Sequence, residues 1–183
     1  MKKMTEKEIL NHLSAVFDYD KKNGGFVYKV SRGNRSAGSK AGSVKQKSGY
    51  RNIGIGPSGK QKIYTEHRLV FLFHHGRFPK LTDHINNNKD DNRIENLREC
   101  TQRQNTMNTS SRAGSTSKYR GVRKLVEYQA TGEKVLWIAQ IYFEGKNIHL
   151  GRFDDEDAAA RSYNESAVKY FGEFANVNKI KGE

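Results

Sequence analysis

The sequence predicts an α+β fold in two modules: a strand-rich N-terminal half ending in a hairpin and a helix (ββα), and a C-terminal three-stranded antiparallel sheet packed on one helix. Two patterns and one break in composition predict it. Short apolar-polar alternations punctuated by glycine, such as "GFVYKV" and "YRNIGI", mark strands, whereas apolar residues at helical spacing mark the segments at 5–17 and 154–172. Over 106–118 the chain reads "TMNTSSRAGSTSK", rich in Ser and Thr and without a strong apolar residue, which is the composition of a linker. The expected division is a first domain over 1–108, a linker over 109–117 and a second domain over 118–178.

The elements follow in order. "TEKEILNHLSAVFDYD" puts Ile9, Leu13, Val16 and Phe17 at helical spacing, with Thr5 and Glu8 as a capping box. Residues 21–65 hold eleven Lys or Arg and no Asp or Glu, and their alternating runs make a basic β-region with one face for phosphates and the other for a core. "EHRLVFLFHHGRFP" carries a dense apolar run at 69–73, read as a helix buried against that sheet, and His67 within it reads as structural or phosphate-orienting. "LTDHI" and "RIENLREC" form a hairpin around Asn86 to Asn92, because Asn and Asp bond their own backbone and favour turns. Thr101 and Gln104 stand in capping-box register, so a short helix starts in "TQRQNTMN" and completes a ββα unit over 81–108. Past the linker, "YRGVRK" and "VLWIAQIYFEGKNIHLGRF" supply three strands, and "DDEDAAARSYNESAVKYFG" supplies a helix. Ala158, Ala159, Tyr163, Ala167 and Tyr170 make its core face, and Trp137 packs beneath it.

Composition then narrows the function. A formal net charge of +13 and a pI near 9.8 draw the chain to a polyanion, and nucleic acid is the expected partner. In the second module 118–152 hold seven basic and three acidic residues against four and seven over 153–183, so the sheet is expected to face DNA and the helix to face away. A single cysteine, Cys100, excludes an internal disulfide and a thiolate zinc cage, and fits a reducing compartment. No apolar run approaches the ~18 residues of a membrane span. The reading is a soluble cytoplasmic protein with no membrane partner and no small-molecule cofactor.

Cutting a phosphodiester needs an activated water, a cation at the phosphate oxygens and groups that hold both in line. A histidine takes the water's proton near neutral pH, and Mg²⁺ accepts one carboxylate and one amide oxygen while keeping several waters. Asp83, His84 and an asparagine supply that set; Asn105, in the first turn of the short helix, comes to the side of Asp83, and Asn96 lies behind His84. Asn92 and Asn108, near neighbours of the last two, stand as the alternatives to Asn96 and Asn105.

Over roughly 5–108 the combination of "HRLV" (67–70), "DHINNNKDDNRIENLR" (83–98) and "TQRQN" (101–105) resembles the HNH homing-type endonucleases of phage and mobile-element lineages. The resemblance implies His84 as general base, Asn96 as the residue fixing the His84 loop, and Asp83 and Asn105 as ligands of one divalent ion per site, Mg²⁺ or Mn²⁺. The pattern "YRGVR…WIAQI…HLGRF…DAAARSYNESAVKYFG…AN", about 118–178, resembles the Apetala-two/ethylene-response-factor DNA-binding domain, whose sheet lies in the major groove. Matching positions make Arg120, Arg123, Gln140, Tyr142, Asn147, His149 and Arg152 the groove-facing set. Gln140, Tyr142 and His149 depart from the plant pattern, and "KLVEYQATGEK" is an insertion, so base preferences do not carry over.

Three functions compete. The leading one is a metal-dependent endonuclease acting on double-stranded DNA and leaving a 5′-phosphate and a 3′-hydroxyl; one active site per chain favours nicking by a monomer slightly over double-strand cleavage by a dimer. The alternatives are a catalytically inactive DNA-binding regulator and a basic architectural or RNA-binding protein. Retention of acid, base and both asparagines in register favours the first, and the chain lacks the aromatic signature of RNA recognition.

Overall fold

Thr5 caps α1 (Glu6–Val16) as the pattern predicts: its hydroxyl accepts from the Glu8 amide while the Glu8 carboxylate accepts from the Thr5 amide, and Ile9 and Leu13 are buried. The computed structural model describes residues 4–31, 33–57, 59–108 and 114–182, and divides into two units, Met1–Gln102 and Arg103–Glu183. Residues 109–113 of the expected linker lie outside the described residues. Among the described residues no helix is long and apolar enough to cross a membrane.

In the first unit β1 (Phe17–Tyr19) pairs antiparallel with β2 (Phe26–Tyr28), and β3 (Ser43–Val44), β4 (Arg51–Ile55) and β5 (Lys62–Thr65) form a three-stranded antiparallel sheet with β4 central. Alternation along β4 buries Ile53 and Ile55, which meet Ile9 and Leu13 of α1, Phe17, Phe26, and Leu69, Val70 and Leu72 of α2 (Glu66–His75) in one core. Each such fully buried side chain contributes about 1.5–3 kcal/mol. Gly76 ends α2 in the left-handed conformation, φ 72°. The described residues of the region 21–65 are thus strand, turn and connecting loop, although not all of their cations face solvent: Arg51 turns in toward Glu66 and Asp90.

A second hairpin closes this unit: β6 (Thr82–His84) pairs with β7 (Leu97–Glu99), with a short 3-10 turn at Ile94–Asn96 just before β7. The helix that follows, α3 (Gln102–Met107), begins where the first unit ends, so all but its first residue is grouped with the second unit. That boundary falls within α3, six residues before the end expected at 108, because Arg103 pairs with Glu144, and Arg120 donates to the carbonyls of Met107 and Thr106.

The second unit is a sheet of β8 (Val122–Gln129), β9 (Gly132–Phe143) and β10 (Lys146–Phe153) in the order β10-β9-β8, all antiparallel, covered by α4 (Glu156–Phe171). The insertion lengthens the first hairpin rather than interrupting it: Leu125 to Gln129 pair with Leu136 to Gly132. The buried face of α4 is Ala159, Ala160, Tyr163, Ala167 and Phe171; Ala160 and Phe171 take the core places expected of Ala158 and Tyr170, which are half-buried. Gly121, φ 73°, is required where β8 enters, because a Cβ there would overlap the Tyr163 ring.

Candidate active site

Hairpin register fixes the pair at the centre of the site. Asp83 lies opposite Arg98 and His84 opposite Leu97, so the acid and the histidine occupy successive positions and project to opposite faces of β6. Both are about 5 % exposed. Arg98 Nε and Nη2 approach Asp83 Oδ2 at 2.8 and 2.7 Å.

The asparagine-rich loop is a run of side-chain turns. Asn86 Oδ1 accepts from the Asn88 amide, Asn88 Oδ1 accepts from the Asp90 amide, and Asn87 takes the left-handed conformation, φ 59°, that Asn tolerates. Asn96, which ends the 3-10 turn just before β7 rather than standing on that strand, ties this loop: its Oδ1 accepts from the Asn86 amide at 3.0 Å, and its Nδ2 donates to Asn86 Oδ1 and to the Asp91 carbonyl at 3.0 and 2.8 Å. Asp91 bonds Arg93 and Asn86 in turn, and Arg93 holds its carboxyl down at about 2.

Asn92, the last of the run, turns inward instead and is 1 % exposed. Its Oδ1 lies 3.0 Å from His84 Nε2, and its Nδ2 donates to Glu66 Oε2 at 2.7 Å. Glu66, fully buried at the start of α2, also accepts the Phe26 amide on Oε1 at 2.9 Å, with Arg51 Nε 3.7 Å from Oε2. Gly25 permits that approach, since a Cβ on it would overlap the Glu66 carboxylate. Sequence reading passed over Glu66 and assigned Asn92 no role. A glutamate opening a helix reads as an exposed complement to the helix dipole, and only the tertiary fold brings residues 26, 66, 84 and 92 together.

The His84 ring packs edge-on against His67 with centroids 5.2 Å apart and lies 6.0 Å from the Tyr50 ring. Burial pushes the His84 pKa below its ordinary value, against the raising influence of Asn92, Asp83 and Asp91, so the imidazole is neutral near pH 7, the form a base requires. His67 is driven down to about 3, by burial first and then by His84 and Arg68, and its Nε2 lies 3.3 Å from Thr65 Oγ1. His67 therefore packs as a neutral ring.

Among the described residues no three His, Cys, Asp or Glu cluster as a metal cage. The hard carboxylate of Asp83 fits a divalent ion that takes few protein ligands and keeps its waters. Asn105 is half-buried on α3, within the second unit.

In the second unit, cross-strand pairing collects six of the seven expected DNA contacts on one face: Arg123–Ile138–Arg152 in one row, Gln140–His149 in the next, Tyr142–Asn147 beyond. Ala139, Ile141 and Trp137 alternate with these residues and face α4. Arg123, Tyr142, Asn147, His149 and Arg152 are exposed, Gln140 is half-buried, and Arg152 pairs with Glu127 at 2.9 Å. Arg120 stands apart, half-buried over the Tyr163 and Phe171 rings, with its guanidinium donating to the last carbonyls of α3.

Residues 64–107 match the family model of the HNH endonucleases. An uncharacterized HNH endonuclease of Acanthamoeba polyphaga mimivirus is 40 % identical over 125 residues, 67 % of this chain and 59 % of the viral protein. An AP2-like ethylene-responsive transcription factor of Arabidopsis thaliana is 40 % identical over 73 residues, 40 % of this chain and 14 % of its own length. The APETALA2-like protein 2 of Oryza sativa subsp. indica is 41 % identical over 63 residues, 34 % of this chain and 13 % of that protein. The chain thus spans less than two thirds of each of these relatives. No solved structure matches it.

Proposed function

We propose, for a chain that carries an HNH endonuclease domain and an AP2-like region in its C-terminal part, that it is a divalent-metal-dependent endonuclease that hydrolyses double-stranded DNA and is directed to its target by the C-terminal sheet. The observation that carries this reading is the buried, neutral His84 directly following the buried Asp83 on one strand, with the intervening loop tied by Asn96 at the end of the turn before β7. HNH endonucleases generally use a divalent metal. Asp83 would hold it here, and when bound it would neutralise charge on the phosphate and the leaving oxygen. His84 takes the proton of the attacking water, Asn96 keeps the loop after His84 from drifting, and the outer sheet face meets the groove through Arg123, Gln140, Tyr142, Asn147, His149 and Arg152.

A second reading, a DNA-binding regulator with a silent site, is favoured by one observation: Arg98 already engages the carboxylate that a metal needs. Supercoiled plasmid incubated with the protein and Mg²⁺ or Mn²⁺, followed by mapping of the ends, separates the two. The endonuclease reading expects EDTA-sensitive nicked or linear product with 5′-phosphate and 3′-hydroxyl ends. Tight binding without any cut in either metal would favour the regulator.

A further inference from the structure

We infer that Glu66, acting through Asn92, holds His84 as the Nε2–H tautomer and so makes Nδ1 the atom that accepts the proton. The inference rests on the reading of His84 as general base and adds two positioning residues to it. The polarity of the chain follows from which atoms can donate. A backbone amide only donates, so Glu66 Oε1 accepts from Phe26. The ionised carboxylate has no proton of its own, so Oε2 accepts from Asn92 Nδ2 at 2.7 Å. With its amide turned that way, Asn92 presents Oδ1 to His84 at 3.0 Å, and an oxygen there is satisfied only by a ring N–H. Nε2 therefore carries the proton and the lone pair falls on Nδ1.

The surroundings keep this order from reversing. Burial raises the Glu66 pKa, and the two N–H donors, Lys40 and Arg51 oppose that rise and favour the anion. Glu66 and Asn92 are 0 % and 1 % exposed, so water does not compete for either group. Flipping the Asn92 amide would set Oδ1 against a carboxylate oxygen, replacing a buried charge-assisted bond by a repulsion that a switched His84 tautomer accepting from Nδ2 would not offset.

Glu66→Gln tests the inference without changing shape. The oxygen of the substituted amide can still accept from the Phe26 N–H, but its NH₂ then faces Asn92 and donates to Oδ1. Asn92 turns over, Nδ2 donates to His84 Nε2, and the ring proton moves to Nδ1. Both Asn92 bonds persist with their direction reversed, while the Phe26 amide still donates as before.

The full chain, labelled with ¹⁵N and observed without metal, gives the direct readout: long-range ¹H–¹⁵N spectra distinguish the protonated from the unprotonated ring nitrogen, with His84 assigned by its loss in His84→Gln. Wild type is expected to show Nε2–H and Glu66→Gln to show Nδ1–H. On plasmid DNA the variant should lose kcat by about 10²-fold to 10⁴-fold, the usual contribution of a general base, with KM for DNA unchanged. A wild-type spectrum showing Nδ1–H overturns the inference even if no variant folds, and so does a folded Glu66→Gln protein that keeps Nε2–H. A switched tautomer in a protein whose wild type cuts no DNA upholds the relay and removes the functional reading instead.

Discussion

Replacing Arg98 by methionine should destabilise the first unit and make it metal-responsive. The side chains of Asp83 and Arg98 are 6 % and 14 % exposed, and both guanidinium contacts fall on the same carboxylate oxygen. Removing one partner of a buried pair costs about 3–5 kcal/mol, because the remaining charge keeps its desolvation and loses its counter-ion. Asp83→Asn should cost less, about 1–3 kcal/mol, since it removes the charge and leaves a long arginine stem able to carry its head to water. Asp83→Asn with Arg98→Met should be more stable than the sum of the two losses by at least about 1 kcal/mol. If the carboxylate is a metal ligand, Arg98→Met should regain stability with Mn²⁺, by about 2.7 kcal/mol at a hundredfold excess over Kd. Urea unfolding of the four proteins, with and without Mn²⁺, reads all of this. Additive losses would refute the ion-pair reasoning, and an Arg98→Met protein indifferent to Mn²⁺ would refute Asp83 as a ligand.

Other consequences can be checked separately. His67, ordinarily 6.5 and about 3 in the fold, stays neutral while the unfolded chain takes up a proton, so its contribution makes stability fall as pH drops from about 6.5 toward 3. The slope is about 1.4 kcal/mol per pH unit, and His67→Gln should remove it; an unchanged pH profile of the unfolding midpoint would contradict the assignment. Gly121→Ala should cost the second unit more than about 1 kcal/mol, from a positive φ and overlap with Tyr163, and an unaltered melting temperature would show that the ring gives way. Arg123→Ala and Arg152→Ala should each lower discrimination between target and random DNA by about 1–3 kcal/mol if they read bases, or reduce the salt slope by about one if they hold phosphates. Binding curves matching wild type in both respects would take the residue off the interface.

What could be read from the sequence depended on whether its cause was local. The Thr5–Glu8 cap, the apolar stripe of α2 and the alternation of β9 are each decided within a few residues, and the elements formed there. Register carried the expected outer face of the second sheet, because a period of two leaves Gln140 and Tyr142 together whatever the loop lengths. Arg120 shows the limit. It precedes β8, so strand alternation does not govern it, and burial beside Tyr163 turns it toward the carbonyls of α3. Glu66 and Asn92 were hidden for the same reason: nothing in "EHRLV" or "DDNRI" signals that a carboxylate and an amide twenty-six residues apart meet in the dark beneath a histidine.

The most direct test of the account compares His84→Ala with wild type in single-turnover cleavage of plasmid DNA in Mg²⁺ or Mn²⁺, with DNA binding measured on the same samples. Removal of the base should lower the cleavage rate by about 10²-fold to 10⁴-fold and leave the dissociation constant within error of wild type. Cleavage by His84→Ala at the wild-type rate would contradict the claim that this buried imidazole does the chemistry.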